Sequence, residues 1–166
     1  MRRLTGLLVG LLSISPVSPA LRAQEAVVPE RQIIEGANQQ LERWYRAGQI
    51  DSVVTHFSEQ AWQMPDGVPP LVGRAAIRQF WSQAAGWGEW TFSIKTQDVL
   101  VSGNLAAERG TYILRYAPGK TAPKEMSAPT EDRGNYVVVW RKEADGRWRI
   151  LWDAPSSVVP PRTPAT

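Results

Sequence analysis

The apolar side chains of this 166-residue chain change their spacing once, and that change limits what the chain can fold into. Ahead of Glu89 they recur every three or four residues, as on one face of a helix; from Trp90 onward they alternate, as on one face of a strand. Helices gathered in the first half, followed by consecutive strands, predict an α+β domain: three N-terminal helices packed on one face of a strongly curved antiparallel sheet. With no cysteine and a single histidine, the chain has no disulfide framework, thiolate metal site, cysteine nucleophile or His-rich metal centre.

Along the first half, Ile33, Ile34, Ala37, Leu41, Trp44 and Tyr45 predict a helix with Pro29 in its first turn and Gly48 as its stop. Asp51 is placed to cap a short second helix carrying Val54 and Phe57 and ending near Ser58. A strand over Ala61 to Met64 puts Trp62 and Met64 on one face, and Pro65-Asp66-Gly67 then turns the chain. A third helix begins after Gly73, buries Ile77, Phe80, Trp81 and Ala84, and stops at Gly86.

In the second half, Trp90, Phe92 and Ile94 alternate in one phase and Val99 and Val101 in the other. A bulge near Thr96-Gln97 is therefore expected to bend a long strand. Strands over Leu105 to Tyr116, Asn135 to Lys142 and Arg147 to Asp153 complete the sheet, the last two joined at Asp145-Gly146 by a type I′ turn. The loop from Ala117 to Arg133 is long for a hairpin and is left open as a lid or an arm. Tyr136-Val137-Val138-Val139-Trp140 is apolar on both sides, so the outer sheet face also needs a cover. A second copy of the chain is the simplest one, and the chain's own tails are the other.

Residues 1–23 read as a signal peptide: Met1-Arg2-Arg3, an apolar stretch from Leu4 to Ile14, and Ala20 or Ala23 at the cleavage point. Cleavage after Ala23 removes three of the 19 basic residues and none of the 16 acidic ones, which makes the mature chain formally neutral. The basic character thus belongs to the leader, and neither nucleic acid nor, after cleavage, a membrane is expected as a partner. A periplasmic or secreted protein is expected, with a linker over 24–29, a domain over 30–157 and a disordered tail over 158–166.

Several of these segments together resemble the nuclear-transport-factor-2-like superfamily, in its SnoaL-like and ketosteroid-isomerase-like bacterial branch of domains of unknown function. They are Tyr45-Arg46-Ala47-Gly48 with Asp51 and Phe57; Val72-Gly73-Arg74 through Phe80-Trp81; Glu108-Arg109-Gly110-Thr111-Tyr112; and Tyr136 to Lys142 with Asp145 to Ile150, Asp153 and Ser157. The resemblance implies a cone-shaped α+β barrel enclosing an apolar pocket, usually in a homodimer. Ketosteroid isomerases of this fold use a tyrosine, a carboxylate base and a neutral carboxylic acid, whose places fall here near Leu41, on Pro65 and near Val137 or Val138. None of these can carry the proton, so that mechanism is rejected; Asp66 stands one residue from the base position. Pro155 replaces the family's usual aromatic after the final acid.

Glu108 shares its side of a strand with Ala106, Gly110, Tyr112, Leu114 and Tyr116, and is either a desolvated acid or base or one half of an ion pair with Arg74, Arg78 or Arg149. Asp153 ends the last strand, to orient a ligand or to pair with Arg109 or Arg149. Glu108 and Asp153 are the catalytic candidates. Tyr45, Trp62, Met64, Asp66, Phe80, Trp81, Tyr112 and Tyr136 are the candidates for lining a pocket for a small apolar or aromatic molecule. His56 lacks partners for metal or nucleophilic chemistry and reads as a boundary histidine. Without GxGxxG, Walker, GxSxG, HExxH or calcium-loop patterns, no cofactor and no metal are expected. Three functions stay open: an exported binder of a small apolar molecule, a cofactor-independent isomerase, cyclase or dehydratase using Glu108 or Asp153, and a dimeric interaction module that needs no pocket.

Overall fold

The computed structural model describes residues 19–159, with side chains from Pro29 onward. Most of the signal-peptide reading and most of the tail therefore lie outside the described residues. Helix α1 (Pro19–Arg46), short helix α2 (Ile50–Val53) with a 3-10 turn over Val54–His56, and helix α3 (Arg74–Trp87) pack on one six-stranded sheet. The strands are β1 (Phe57–Gln63), β2 (Leu71–Val72), β3 (Gly88–Ser102), β4 (Leu105–Pro118), β5 (Thr130–Lys142) and β6 (Trp148–Ser157), in the spatial order β2-β1-β6-β5-β4-β3. The α+β arrangement is as expected, but the sheet is mixed and open: β1 runs parallel to β6, and β2 and β3 remain as edges. No helix among the described residues is long and apolar enough to cross a membrane.

Helix α1 buries Ile34, Asn38, Leu41 and Tyr45, a stripe at helical spacing that faces the sheet. It starts at Pro19, so Pro29 lies within it and 24–29 is helical instead of a linker. The reason is compositional: Ala, Leu, Arg, Gln and Glu dominate 20–26 and extend the helix N-terminally. Gly48 ends the helix as expected, at φ +64°, while Gln49 N–H donates to Trp44 O at 2.9 Å. Asp51 does not cap α2; Gln49 holds that position without a side-chain bond, and Asp51 instead pairs with Arg78 at 2.7 Å. Helix α3 passes Gly86 and ends at Trp87.

In β3, Thr96 pairs with Gly110 and Asp98 with Arg109, leaving Gln97 as the extra residue of the expected bulge. The bulge lets β3 put Trp90, Phe92 and Ile94 toward the helices and still bury Val99 beyond it. The free edge of β3 is met by α1: Ile94 N–H donates to Glu42 Oε1 at 2.6 Å, and Arg31 Nη2 donates to Gln97 O at 3.5 Å. The β5–β6 hairpin forms, but not through a type I′ turn. Only Gly146 takes positive φ (+79°), and Gly146 N–H bonds Glu143 O while Glu143 N–H bonds Arg147 O, which makes a five-residue connection over 143–147.

Two glycines shape the inner sheet face. Gly110 on β4 lies opposite Tyr136 on β5, and Gly134 on β5 lies opposite Tyr112 on β4. Each tyrosine lies over the glycine across from it: a Cβ on Gly110 would come within 2.5 Å of the Tyr136 hydroxyl oxygen and 2.3 Å of Lys95 O. Gly110→Ala is therefore expected to lower stability by about 1–3 kcal/mol through overpacking, read as a lower urea midpoint with an unchanged slope.

Candidate functional site

Between helices and sheet lies a cavity of about 280 Å³ with two unlike walls. Tyr45 of α1, Phe80 and Trp81 of α3, and Trp90, Phe92 and Ile94 of β3 make one wall aromatic and apolar. Tyr45 meets Trp81 at 4.8 Å and Phe92 at 4.4 Å between ring centroids, and Trp81 meets Trp90 edge-on at 5.8 Å. The other side carries the polar groups, set among Leu114, Val138 and Ile150: Gln63 of β1, Asp66 of the following turn, Tyr112 of β4, Asp132 and Tyr136 of β5, and Asp153 of β6.

Asp153 is only partly exposed and stands directly opposite Gln63 in the parallel β1–β6 ladder. Its Oδ2 accepts from Gln63 Nε2 at 2.9 Å, and Gln63 Oε1 accepts from Trp81 Nε1 at 2.8 Å. Desolvation pushes the Asp153 pKa up to about 6; the Gln63 bond opposes this and the Glu108 charge adds to it. The Tyr45 hydroxyl lies in the same corner and is held well above its ordinary pKa, by burial first and by Asp153 second.

Glu108, 1% exposed, sits behind the wall and does not line the cavity. Oε1 accepts from Asn38 Nδ2 at 2.6 Å, Thr96 Oγ1 at 2.7 Å and Tyr136 OH at 2.7 Å, and Oε2 accepts from Trp140 Nε1 at 2.8 Å. The expected arginine partners are engaged elsewhere: Arg74 with Glu59, Arg78 with Asp51, and Arg149 with Glu143 and Asp145. Neutral donors from α1, β3 and β5 replace the ion pair, because the strand places Glu108 in a core no arginine reaches. Likewise Asp153 pairs with neither Arg109, whose ion-pair partner is Asp98, nor Arg149. Glu108 thus fixes Tyr136, and of the two catalytic candidates Asp153 is the one that lines the cavity.

At the other end of the polar wall, Tyr112 OH donates to Asp132 Oδ2 at 2.7 Å, and Ser157 links two carboxylates by donating Oγ–H to Asp132 and N–H to Asp66. Burial, then Asp132 and Asp66, raise the Tyr112 pKa; burial, then Glu108, raise that of Tyr136. Of the expected lining residues, Tyr45, Asp66, Phe80, Trp81, Tyr112 and Tyr136 reach the cavity, and Trp62 and Met64 do not. Strand β1 turns Ala61 and Gln63 inward, because pairing with β6 sets Trp62 beside Trp152 on the outer face, 43% and 50% exposed.

Asn38, Gln63 and Asp132 went unrecognised in the sequence. Asn38 does lie on the buried stripe of α1, where a polar residue is a signal; Asp132 fell inside what read as a loop. The connection is in fact only 119–129, lines none of the cavity, and is tied to the end of α3 by Gly119 N–H on Trp87 O at 2.7 Å. Leu41, Pro65 and Val138, at the places of the isomerase proton carriers, reach the cavity as apolar groups. His56 lies at the boundary against Trp44 with Nε2 buried and unbonded. Desolvation, then Arg149, lower its pKa to about 4. No group of three or more His, Cys, Asp or Glu able to hold a metal occurs among the described residues.

A SnoaL-like domain model matches residues 38–150. Among solved structures, a ketosteroid isomerase-like protein from Erwinia carotovora atroseptica is 18% identical, with a TM-score of 0.65 over 78% of this chain and 96% of that one. An NTF2-like protein with a cystatin-like fold from Novosphingobium aromaticivorans is 15% identical, with a TM-score of 0.67 over 88% and 92%. An NTF2-like superfamily protein from Salmonella enterica is 15% identical, with a TM-score of 0.66 over 84% and 99%. At these identities the likeness is one of fold. No curated protein matches the sequence.

The raised pKa of Asp153 has a definite sign for stability. The fold favours the neutral carboxyl, a contribution fully present below about pH 4 and lost as pH rises through about 6. Asp153→Asn, neutral throughout, is expected to be more stable than the parent above pH 6, by at most roughly 3 kcal/mol, with the gain vanishing near pH 4. Urea denaturation of both proteins across that range measures it.

Proposed function

The chain belongs to the SnoaL-like domain family, with the fold of the NTF2-like and ketosteroid isomerase-like proteins, and on that premise we propose that its cavity binds a small, largely apolar molecule. The observation that carries the reading is a hollow with one aromatic wall and one wall of hydrogen-bonding groups, which orients an amphipathic guest between them. Packing has not closed this space, although Phe80, Trp81, Trp90 and Phe92 all stand beside it.

A second reading, proton transfer by Asp153 on the bound molecule, is favoured by a carboxyl whose pKa burial pushes up to about 6, whose Oδ2 takes the Gln63 bond and leaves Oδ1 to a guest, and which has Tyr45 beside it. Glu108 serves this reading only by holding Tyr136. Export to the periplasm or beyond belongs to the same proposal, supported by the charge, apolar stretch and small residues of 1–23.

A homodimer is also part of it. Val72, Trp62, Trp152, Val139, Ala107 and Leu100 follow one another across all six strands through the paired register, and Leu100, Val72, Trp152 and Trp62 are exposed. This apolar band on the outer face fits a copy of itself about a twofold axis. Trp152→Glu is expected to turn a dimer into a monomer by light scattering without changing the circular dichroism; a parent that is already monomeric rejects the dimer.

The cavity is tested with 2-(1-naphthyl)ethanol. It is expected to quench tryptophan fluorescence and raise the melting temperature of the parent protein. Val138→Phe, which fills the space, is expected to abolish both effects with a urea midpoint near the parent's. Quenching that survives in Val138→Phe places the compound elsewhere and rejects the reading.

A further inference from the structure

The carboxylates of the described residues divide by where they stand. Around the outside several meet cations: Glu30 meets Lys142, Glu59 meets Arg74, Asp51 meets Arg78 and Asp145 meets Arg149. At the cavity they meet none among the described residues. Within that range Asp66, Asp132 and Asp153 on the wall, and Glu108 behind it, have only neutral hydrogen-bond donors, and no described Lys, Arg or His lines the space. Asp66 is exposed at the rim, whereas Glu108 is buried and Asp153 desolvated; the Glu108 charge raises the energy of an ionised Asp153, and a cation entering the hollow lowers it.

The tyrosines sharpen the preference. The hydroxyl protons of Tyr112 and Tyr136 are committed to Asp132 and Glu108, so toward a guest both offer only oxygen lone pairs. Acceptors therefore predominate on the polar wall, where the Gln63 amide donates to Asp153, while Tyr45, Trp81 and Phe92 line the other side, and aromatic rings attract positive charge. The carboxylates do not converge into a group able to hold a metal ion, and they border an apolar space larger than any bare ion needs.

Resting on the reading that this cavity binds a small molecule, we infer that its guest is an organic cation: an ammonium group on an aromatic or alicyclic body, the nitrogen at Asp153 Oδ1 and the body against the aromatic wall. Asp66 and Asp132, at the end of the polar wall, add an attractive field for a cation and a repulsive one for an anion. The elevated pKa of Asp153 agrees with a carboxyl that lacks its counter-charge.

Three compounds of one shape separate this inference from the reading beneath it: 2-(1-naphthyl)ethylamine, 2-(1-naphthyl)ethanol and 1-naphthylacetate, titrated by calorimetry into the full chain at about pH 8. The amine is expected to bind at least about tenfold tighter than the alcohol, and the acetate weakest of the three. In Asp153→Asn the amine is expected to lose about tenfold or more relative to the alcohol, and lowering the pH toward 5 is expected to shrink the amine's advantage in the parent alone. If the alcohol or the acetate binds as tightly as the amine, the cation inference falls and the cavity reading stands. If none of the three binds, both fall. An amine preference that persists in Asp153→Asn overturns the pairing at Asp153.

Discussion

The fold is held around a single buried carboxylate. Glu108 gathers Asn38 from α1, Thr96 from the bulged region of β3, and Tyr136 and Trp140 from β5, so one side chain ties the long helix to three neighbouring strands. Removing a carboxylate from water costs several kcal/mol or more unless its oxygens are bonded, and leaving its donors unpaired costs again. The four bonds are therefore interdependent, and a shift of α1, of the bulge or of β5 breaks several together. That interdependence resists collapse of the space next to Tyr136. The glycines under Tyr112 and Tyr136 contribute from the other direction, letting the rings lie flat where a methyl group would lift them.

The fold was legible because period, phase and punctuation are local. The switch at Glu89, the phase slip at Gln97, the start of α3 after Gly73 and the inward face of β4 are all written in neighbouring residues. What could not be read is long-range. Alternation in β1 shows that Trp62 and Met64 share a face, but only the parallel pairing with β6 decides that this face looks outward. Trp62 and Met64 are the bulkier pair, yet Ala61 and Gln63 are the ones buried. The same limit applies to Glu108: the strand showed a carboxylate among apolar neighbours, but its partners lie 12 to 70 positions away in the chain. Proximity in charge suggested arginines, whereas tertiary packing brings an amide, two hydroxyls and an indole.

The division of labour inside the molecule follows from its topology. Helices α1 and α3 and strand β3 contribute hydrophobic bulk, and the middle strands contribute hydrogen-bonding groups, so polarity changes across the hollow and not along it. Asp153 belongs to this scheme through one ladder pair. Gln63 stands beside it, binds it, and is itself held by Trp81, so the indole of α3 fixes a carboxyl on β6 through an amide on β1. Three elements remote in sequence thus set the position of this acid on the cavity wall and moderate the proton affinity that its burial raises.

The outer margin of β3 has a further meaning. A fifteen-residue strand with an unpaired rim is an invitation for another chain to add itself by backbone pairing. Glu42 occupies an amide on that rim, Arg31 reaches a carbonyl, and the extra residue at 97 spoils the straightness that a newcomer needs. The opposite margin is only two residues long. Strand-by-strand growth is discouraged at both ends, which leaves the broad outer surface, proposed above for pairing with a second copy, as the face where contacts close on themselves and do not propagate into fibres.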